Sequence, residues 1–192
     1  MLDIYIKNMV CDRCIMVVRE ELVKLGLTPV KITLGVATIN QESLQDGLRS
    51  ALAERLKIAG FELLDSARSQ LVEKMKVFII NRIHYTDNID LTSNWSDLLA
   101  DEMNHDYNHL STLFSSVEGI TVEQYIIRQK IERAKELLFY DEKNLSEIAF
   151  FLGYSSVQHL SAQFKKVTGH TPSQYKKERE FLRTRKPLDS IQ

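Results

Sequence analysis

The first 65 residues alternate between two spacings of apolar side chains. Residues 2–7 (LDIYIK) alternate apolar and polar positions, which predicts a strand. Residues 11–27 repeat apolar side chains at helical spacing and predict a helix that ends at Gly26. The same reasoning gives the remaining elements of this region: strands at 30–34 and 36–40, a helix at 42–59 and a strand at 61–64.

The predicted order βαββαβ is that of a ferredoxin-like fold. Residues 67–85 then continue at helical spacing, with apolar positions at Leu71, Met75, Phe78, Ile79 and Ile83. They predict a connector helix, which either packs on one of the domains or serves as a dimerisation or signal-transmitting helix. Residues 86–94 (TDNIDLTSN) have the composition of a linker.

The second half of the chain contains an internal repeat. Residues 109–125 (HLSTLFSSVEGITVEQY) recur as 159–175 (HLSAQFKKVTGHTPSQY), and one amphipathic helix at 122–139 joins the copies. Asn104 in copy one takes the place of Gly153 in copy two, and both suit the left-handed position that ends a helix. Asp106 in copy one, and Ser155 or Ser156 in copy two, are the predicted N-caps of the helices that follow.

Each copy therefore predicts two helices around a tight turn. The positions expected to face inward are Leu110, Leu113, Phe114 and Val117 in copy one, and Leu160, Phe164 and Val167 in copy two. Two helices around a short turn, the second with a polar outer face, make a helix-turn-helix. Two such units joined by one rigid helix can address successive major-groove faces of double-stranded DNA. The alternative is a merely structural helical repeat, which would need a third copy and capping repeats.

Residues 95–178 resemble the DNA-binding domain of AraC-type bacterial transcription regulators. The resemblance rests on IERAKELL in the joining helix and on LSEIAFFLGYSS…HLSAQFKKVTGHTPSQYKK in copy two. It implies seven helices, with recognition helices near 107–117 and 156–167. It also implies base-facing roles for Asn108, Ser111 and Thr112 in copy one, and for Gln158, His159, Ser161 and Ala162 in copy two.

Charge separates the two copies. Residues 95–127 contain six Asp or Glu and no Lys or Arg, whereas residues 128–192 contain thirteen Lys or Arg against eight Asp or Glu. The family often has Arg at Thr112 and Ala162 and Lys at Ser115 and Ser116. Because phosphate contacts supply much of the affinity for DNA, copy two is expected to anchor the protein. The cations available to phosphates are Lys165, Lys166, Lys176, Lys177 and Arg179. Copy one either reads DNA weakly or faces a partner protein.

A thiol pair lies where the first strand meets the first helix. The run from Met9 to Cys14 (MVCDRC) resembles the M-x-C-x-x-C loop of heavy-metal-associated domains, although Asn8 stands where Gly is usual. The helix dipole and Arg13 favour the thiolate form, and two thiolates suit a soft cation such as Cu(I). Zn(II) wants four ligands and would need two chains or outside help. A Cys11–Cys14 disulfide gives a redox-sensor alternative, and a purely structural pair is the third.

Other features narrow the function. No apolar run approaches the length of a membrane span, and the N-terminus does not resemble a signal peptide, so we expect a cytoplasmic protein. The sequence contains no Gly-rich phosphate loop, HExxH motif or nucleophile–base pair, and we expect no enzyme. His105 and His109 have a metal-binding spacing but are better explained as part of the recognition surface.

The sequence as a whole predicts an α+β protein. Residues 1–65 form the sensor domain, 66–94 the connector helix and linker, 95–180 the DNA-binding domain and 181–192 a tail. The predicted function is sequence-specific regulation of transcription in response to a soft metal ion at Cys11 and Cys14, with a possible homodimer through the connector. The alternatives are redox control and a protein-interaction module whose first helix-turn-helix no longer binds DNA.

Overall fold

The structure, a computed structural model, describes residues 1–86, 94–140 and 143–177. The chain divides into two compact units. Unit 1 comprises Met1–Ile80 and Leu99–Gly119, and unit 2 comprises Asn81–Leu98 and Ile120–Gln192. The predicted recognition helix of copy one therefore belongs to the same unit as the N-terminal sheet, whereas copy two belongs to unit 2.

The N-terminal region has the predicted element order βαββαβ. Its elements are β1 (Leu2–Lys7), α1 (Asp12–Lys24), β2 (Pro29–Thr33), β3 (Val36–Ile39), α2 (Asp46–Ile58) and β4 (Glu62–Leu64). The strands form one antiparallel sheet in the order β2-β3-β1-β4. β1 lies inside the sheet, since Ile4 is opposite Ala37 on β3 and Ile6 is opposite Leu63 on β4.

Helices α1 and α2 contribute to the apolar core that β1 and β3 also form. This core contains Ile4, Ile6, Met9, Val18, Leu22, Ala37, Ile39, Leu52 and Leu56, all buried. One predicted boundary was wrong, because α2 begins at Asp46 and not at residue 42. Leu44 packs on the core from the preceding segment, and Gln45 is extended at the N-cap with φ −64° and ψ 146°.

Helix α3 (Ala67–His84) agrees with the predicted connector to within one residue. Lys74 Nζ lies 4.9 Å from the centre of the Tyr5 ring on β1. Gly35, between β2 and β3, has φ +77°, and a Cβ built on it would be 3.0 Å from Val77 Cγ2, so a glycine suits this position. The apolar side chains Val72, Met75, Ile79, Ile80 and Ile83 are buried. The exposed positions of α3 are Ala67, Arg68, Lys74 and Asn81, which favours a helix packed within its own chain.

The helices of the second half follow the repeat. They are α4 (Trp95–Met103), α5 (Tyr107–Glu118), α6 (Val122–Tyr140), α7 (Leu145–Phe151) and α8 (Val157–Thr168), and residues 172–177 are also helical. In unit 2, α6, α7 and α8 share a core that includes Ile131, Ile148, Leu160 and Phe164. The predicted linker, apart from its ends, and the predicted tail lie outside the described residues, as does Arg179.

Candidate nucleic-acid interface and thiol pair

Copy one has the predicted helix-turn-helix geometry. The turn after α4 contains Asn104 in the left-handed region at φ +52°. Asp106 then caps α5, because its Oδ1 accepts from the backbone N–H of Asn108 at 2.9 Å and of His109 at 3.3 Å. Helix α5 buries Leu110, Leu113 and Phe114, and it ends at Gly119. These contacts fix the direction of the helix that the sequence singled out for recognition.

Copy two repeats this geometry with different cap chemistry. Asn144 begins α7 with a reciprocal capping box to Glu147, and Gly153 in the turn has φ +74°. Ser156, and not Ser155, caps α8 by accepting from the backbone N–H of His159 at 3.1 Å. Leu160 and Phe164 are buried, and α8 ends at Gly169. The two copies of the repeat therefore have the same backbone arrangement: a left-handed turn followed by a capped helix that ends at a glycine.

The inward prediction was wrong at one position of each copy. Val117 is 39% exposed and Val167 is 40% exposed, so neither is a core side chain. Both lie two residues before the glycine that ends the helix, in its last turn. The apolar spacing thus predicts the core over the first two turns and fails in the last turn, where the helix ends.

The predicted base-facing residues of copy one lie along the outer side of α5. Asn108 and Thr112 are exposed and Ser111 is half-buried. Ser115 donates its hydroxyl to Ser111 O at 2.9 Å. No Lys or Arg occurs anywhere in α5. This surface can offer amide and hydroxyl groups to base edges but no cation to the DNA backbone.

The predicted base-facing residues of copy two have a similar placement on α8. Gln158, His159 and Ala162 are exposed, and Ser161 is half-buried. The imidazole of His159 is already engaged, since its Nδ1 is 3.3 Å from Ser155 Oγ and its Nε2 is 3.3 Å from Gln163 Nε2. Gln158 and Ala162 are therefore the more available of these side chains for base edges.

The cations of copy two lie at and beyond the end of α8. Lys165 and Lys166 occupy its last turn and are exposed. Lys177 is also exposed, and Lys176 is half-buried. Sequence reasoning missed Lys143, which lies just before α7. Lys143 and Lys176 both line an open cavity of about 390 Å³. Lys143 and Lys176 are far apart in the sequence, so only the folded structure shows that they line the same cavity.

The two thiols are adjacent, as predicted. Cys11 is the N-cap of α1 and Cys14 lies in its first turn, and their sulfurs are 3.3 Å apart and hydrogen-bonded. Hydrogen bonds from the backbone and then the side chain of Cys14 lower the pKa of the Cys11 thiol, and Arg13 adds a smaller effect of the same sign. Met9 is fully buried and is a core residue. The site is a pair of soft donors of which one is biased towards the thiolate.

Further metal-binding arrangements do not appear in the described ranges. No group of three or more His, Cys, Asp or Glu side chains is placed there to hold a metal ion. The rings of His105 and His109 stack at 5.9 Å, and His105 Nδ1 is 2.6 Å from Met103 O. Across the same ranges, no helix combines the length and apolar character needed to span a membrane.

Comparison with known proteins identifies the C-terminal segment. Residues 99–178 match the family model described as a helix-turn-helix domain. The probable transcriptional regulator LumQ of Photobacterium leiognathi is 38% identical over 63 residues, which are 33% of this chain and 25% of LumQ. The bifunctional transcriptional activator/DNA repair enzyme AdaA of Bacillus subtilis is 29% identical over 93 residues, 48% of this chain and 42% of AdaA. Residues 99–178 therefore match a helix-turn-helix domain, which supports the predicted resemblance of this segment to AraC-type DNA-binding domains.

A solved structure has a similar fold over a longer stretch. ToxT from Vibrio cholerae aligns with a TM-score of 0.51 and 16% sequence identity, covering 86% of this chain and 67% of ToxT. The chain spans less than half the length of the curated relatives it matches. The similarity of residues 1–65 to heavy-metal-associated domains stays a prediction.

Proposed function

We propose that the protein is a sequence-specific regulator of transcription that binds double-stranded DNA mainly through its second helix-turn-helix. The observation that carries this proposal is α8, a capped helix with an exposed amide and two exposed cations in a domain that matches helix-turn-helix proteins. The relatives named above are transcription regulators by description, which supports the same assignment. We assign no enzymatic reaction to this chain.

In this proposal the side chains divide by role. Gln158, His159, Ser161 and Ala162 face bases, and Lys165, Lys166, Lys176 and Lys177 contact phosphates. Asn108, Ser111 and Thr112 of copy one make the weaker contribution, because no cation holds α5 against the DNA backbone. The domain boundaries we propose are those predicted above: 1–65, 66–94, 95–180 and 181–192.

The test uses the full chain and duplexes selected from a random-sequence library. Lys165→Ala/Lys166→Ala should weaken binding to all sequences and reduce the slope of log affinity against log salt by about two. The control Lys31→Ala/Lys57→Ala removes the same charge from exposed positions of the N-terminal region and should leave that slope unchanged. Equal slopes in both variants would remove α8 from the DNA interface.

We further propose that residues 1–65 form a ferredoxin-like, heavy-metal-associated sensor domain that binds a soft ion such as Cu(I). The two cysteines fit a soft metal ion, because their sulfurs lie 3.3 Å apart at the start of a helix and the pKa of Cys11 is lowered. Cys11 and Cys14 would hold the ion as thiolates. A bound ion alters DNA binding only if it has different affinities for two conformations of the chain.

Redox control is the second candidate, and the short distance between the sulfurs of Cys11 and Cys14 favours it as well. In thiol–disulfide exchange, the Cys11 thiolate attacks a small-molecule disulfide and releases one thiol, and Cys14 then displaces the second thiol to close the Cys11–Cys14 bond. The sulfurs need to approach only from 3.3 Å to about 2.05 Å. Formation of this bond would carry the signal without a metal.

Titration of the reduced protein under anaerobic conditions separates these candidates. With Cu(I), Zn(II) or Hg(II) and mass detection, the metal proposal expects one soft ion per chain, lost in Cys11→Ser/Cys14→Ser. A disulfide that forms readily without any metal binding would favour the redox candidate. If neither occurs, the pair is structural and the DNA-binding proposal stands alone.

The lowered pKa of Cys11 adds a pH test. Alkylation of Cys11 by iodoacetamide should rise with pH through a lower midpoint in the folded chain than in the urea-unfolded chain. Because the folded state binds fewer protons here, the associated stability is present above the unfolded pKa and is lost as pH falls through the folded pKa. Identical midpoints would show that the fold does not activate the thiol.

The proposal also covers the oligomeric state and the location of the protein. We propose that the protein is cytoplasmic. A homodimer through α3 would have little apolar surface to bury, because the exposed positions of α3 are polar or small. A protein-interaction role for copy one is favoured by one observation: α5 carries no cation and belongs to unit 1. Sedimentation of the reduced chain, alone and with DNA, tests the dimer.

A further inference from the structure

A buried ion cluster lies in unit 1, on the side of the sheet where α3 packs. Lys76 Nζ is 3.2 Å from Glu73 Oε2 and 3.4 Å from Glu118 Oε1. Lys7 Nζ, at the end of β1, is 3.6 Å from the same Glu118 oxygen. We call these four residues the ion cluster. It joins β1 and α3 to the last turn of α5, the recognition helix of copy one.

The burial of the cluster gives these contacts weight. Glu73 and Lys76 are 4% and 8% exposed, and no other charged residue of the described ranges is buried as deeply. A charge held away from water depends on its partners, and removing one partner leaves the other uncompensated. The side chain of Glu118 is 17% exposed, so α5 supplies one of these partners from a partly buried position. Release of α5 would therefore remove the carboxylate that Lys76 shares with Lys7 and leave Glu73 to balance both cations.

The other end of the cluster reaches the thiol loop. The backbone N–H of Asn8 donates to Glu73 Oε1 at 3.2 Å, and Asn8 has φ +73°, the left-handed conformation that Asn adopts more readily than most residues with a side chain. Asn8 O is also 4.0 Å from Cys14 Sγ, the far limit of a thiol hydrogen bond. One peptide segment therefore touches both Glu73 and the second cysteine.

We propose that the ion cluster transmits the state of the Cys11–Cys14 pair to helix α5 and so controls how firmly copy one is held in unit 1. The inference rests on the proposed role of the thiols as the input, but it does not need a metal. When the pair forms a disulfide, the sulfurs approach each other and Cys14 loses its only proton, so that its Sγ can no longer donate to Asn8 O. The Asn8 segment shifts, Glu73 moves with it, and the ion pair between Lys76 and Glu118 weakens.

The comparison of the two copies supports this role. The position that corresponds to Glu118 is Thr168 in copy two, whose hydroxyl donates to Phe164 O at 2.8 Å within α8. Copy two therefore has no carboxylate at the end of its recognition helix. Glu118 is therefore not required by the helix-turn-helix fold, and in copy one it forms ion pairs with Lys7 and Lys76.

Hydrogen exchange of the full chain tests the coupling. The reduced protein is compared with the protein oxidised by diamide, which accepts the two electrons and two protons released as the disulfide forms, and with the Hg(II)-bound protein. Mass measurement verifies each state. We expect exchange of the α5 amides to accelerate about fivefold or more on oxidation or Hg(II) binding, the lower end of usual coupling between sites.

Two variants and a control locate the path. Glu118→Gln keeps the shape of the side chain and should abolish the response of α5 while disulfide formation continues. Lys7→Gln removes the more exposed cation and should reduce the response partially. Glu102→Gln, an exposed carboxylate on α4, should respond like the wild type.

The outcomes are distinct from those of the sensor proposal. If the thiols react and α5 exchange does not change, or if it changes equally in Glu118→Gln, the ion cluster does not carry the signal. If no metal binds but disulfide formation still accelerates hydrogen exchange in α5, the coupling between the cysteines and α5 is supported and the proposal of a metal sensor is contradicted. If Hg(II) binds and the disulfide does not form, the Hg(II) comparison alone decides the coupling.

Discussion

The two helix-turn-helix copies share a skeleton and differ in surface. Both bury a leucine and a phenylalanine at the same positions, Leu110 and Phe114 against Leu160 and Phe164. Both also begin the next helical segment with a Thr–Gln capping box, at Thr121 in copy one and Thr171 in copy two. The exposed faces, by contrast, carry two lysines in α8 and none in α5.

This difference shows which residues of the repeat serve the fold. The identical positions are mostly core side chains, caps and helix-ending glycines, whose roles do not depend on a partner. The positions that diverge, such as Ser115 against Lys165, lie on the surface that would meet DNA. Copy one therefore has the same architecture without the cations, and Glu118 at its end is engaged within unit 1.

The largest expected effect concerns what the copies share. Phe114→Ala and Phe164→Ala each remove a fully buried ring, so each should cost about 3–5 kcal/mol in the free energy of unfolding. Urea unfolding, with hydrogen exchange to locate the loss in α5 or α8, measures this. Phe150→Ala is the control, since that side chain is 71% exposed and should change stability little. A near-neutral result in one copy only would break the equivalence of the two cores.

Base reading should differ between equivalent amides. Gln158→Ala is expected to cost about 1–3 kcal/mol in specific DNA binding and to relax preference at one base pair, since an amide can bond both groups of an adenine edge. Asn108→Ala at the corresponding position should change affinity less than about threefold, because α5 has no cation to hold it near the bases. Binding measured on selected and single-mismatch duplexes checks both. Equal losses would show that copy one reads DNA as well as copy two.

The backbone of the interface was predictable from the sequence. The caps at Asp106 and Ser156 and the left-handed turns at Asn104 and Gly153 depend on local chemistry, which a short stretch of sequence carries in full. The adjacency of Cys11 and Cys14 was predictable for the same reason, since three residues of helix bring both thiols to one end.

The ion cluster was not predictable in this way. Glu73 and Lys76, three residues apart on a helix, have the pattern of an exposed charge pair. Only the packing of α3 against the sheet buries them, and only the tertiary fold brings Glu118 and Lys7 to the same place. Lys143 beside Lys176 was missed for the same reason, because contacts between distant segments leave no periodic trace.

Adding the missing cations to copy one sharpens the comparison. Ser115→Lys/Ser116→Lys copies the charge of Lys165 and Lys166 onto α5. If surface charge is the functional difference, DNA affinity should rise about tenfold at low salt and the salt slope should steepen by up to about two. Ser43→Lys/Ser50→Lys adds the same charge at exposed sites of the N-terminal region and controls for net charge. No gain over this control would mean that α5 does not meet the phosphate backbone.

The smallest expected effect separates the two caps. Ser156→Ala removes one acceptor at the start of α8 and should cost about 1 kcal/mol in the free energy of unfolding. Asp106→Ala removes an acceptor of two backbone N–H groups together with a negative charge at a helix N-terminus, so its cost should be somewhat larger, up to about 2 kcal/mol. Asp106→Asn keeps the acceptor without the charge and should recover most of the loss. Urea unfolding at low and high salt measures the three variants. If Asp106→Asn were as damaging as Asp106→Ala, the carboxylate would act through its charge, and the acidic surface of copy one would contribute to folding as well as to weak DNA contact.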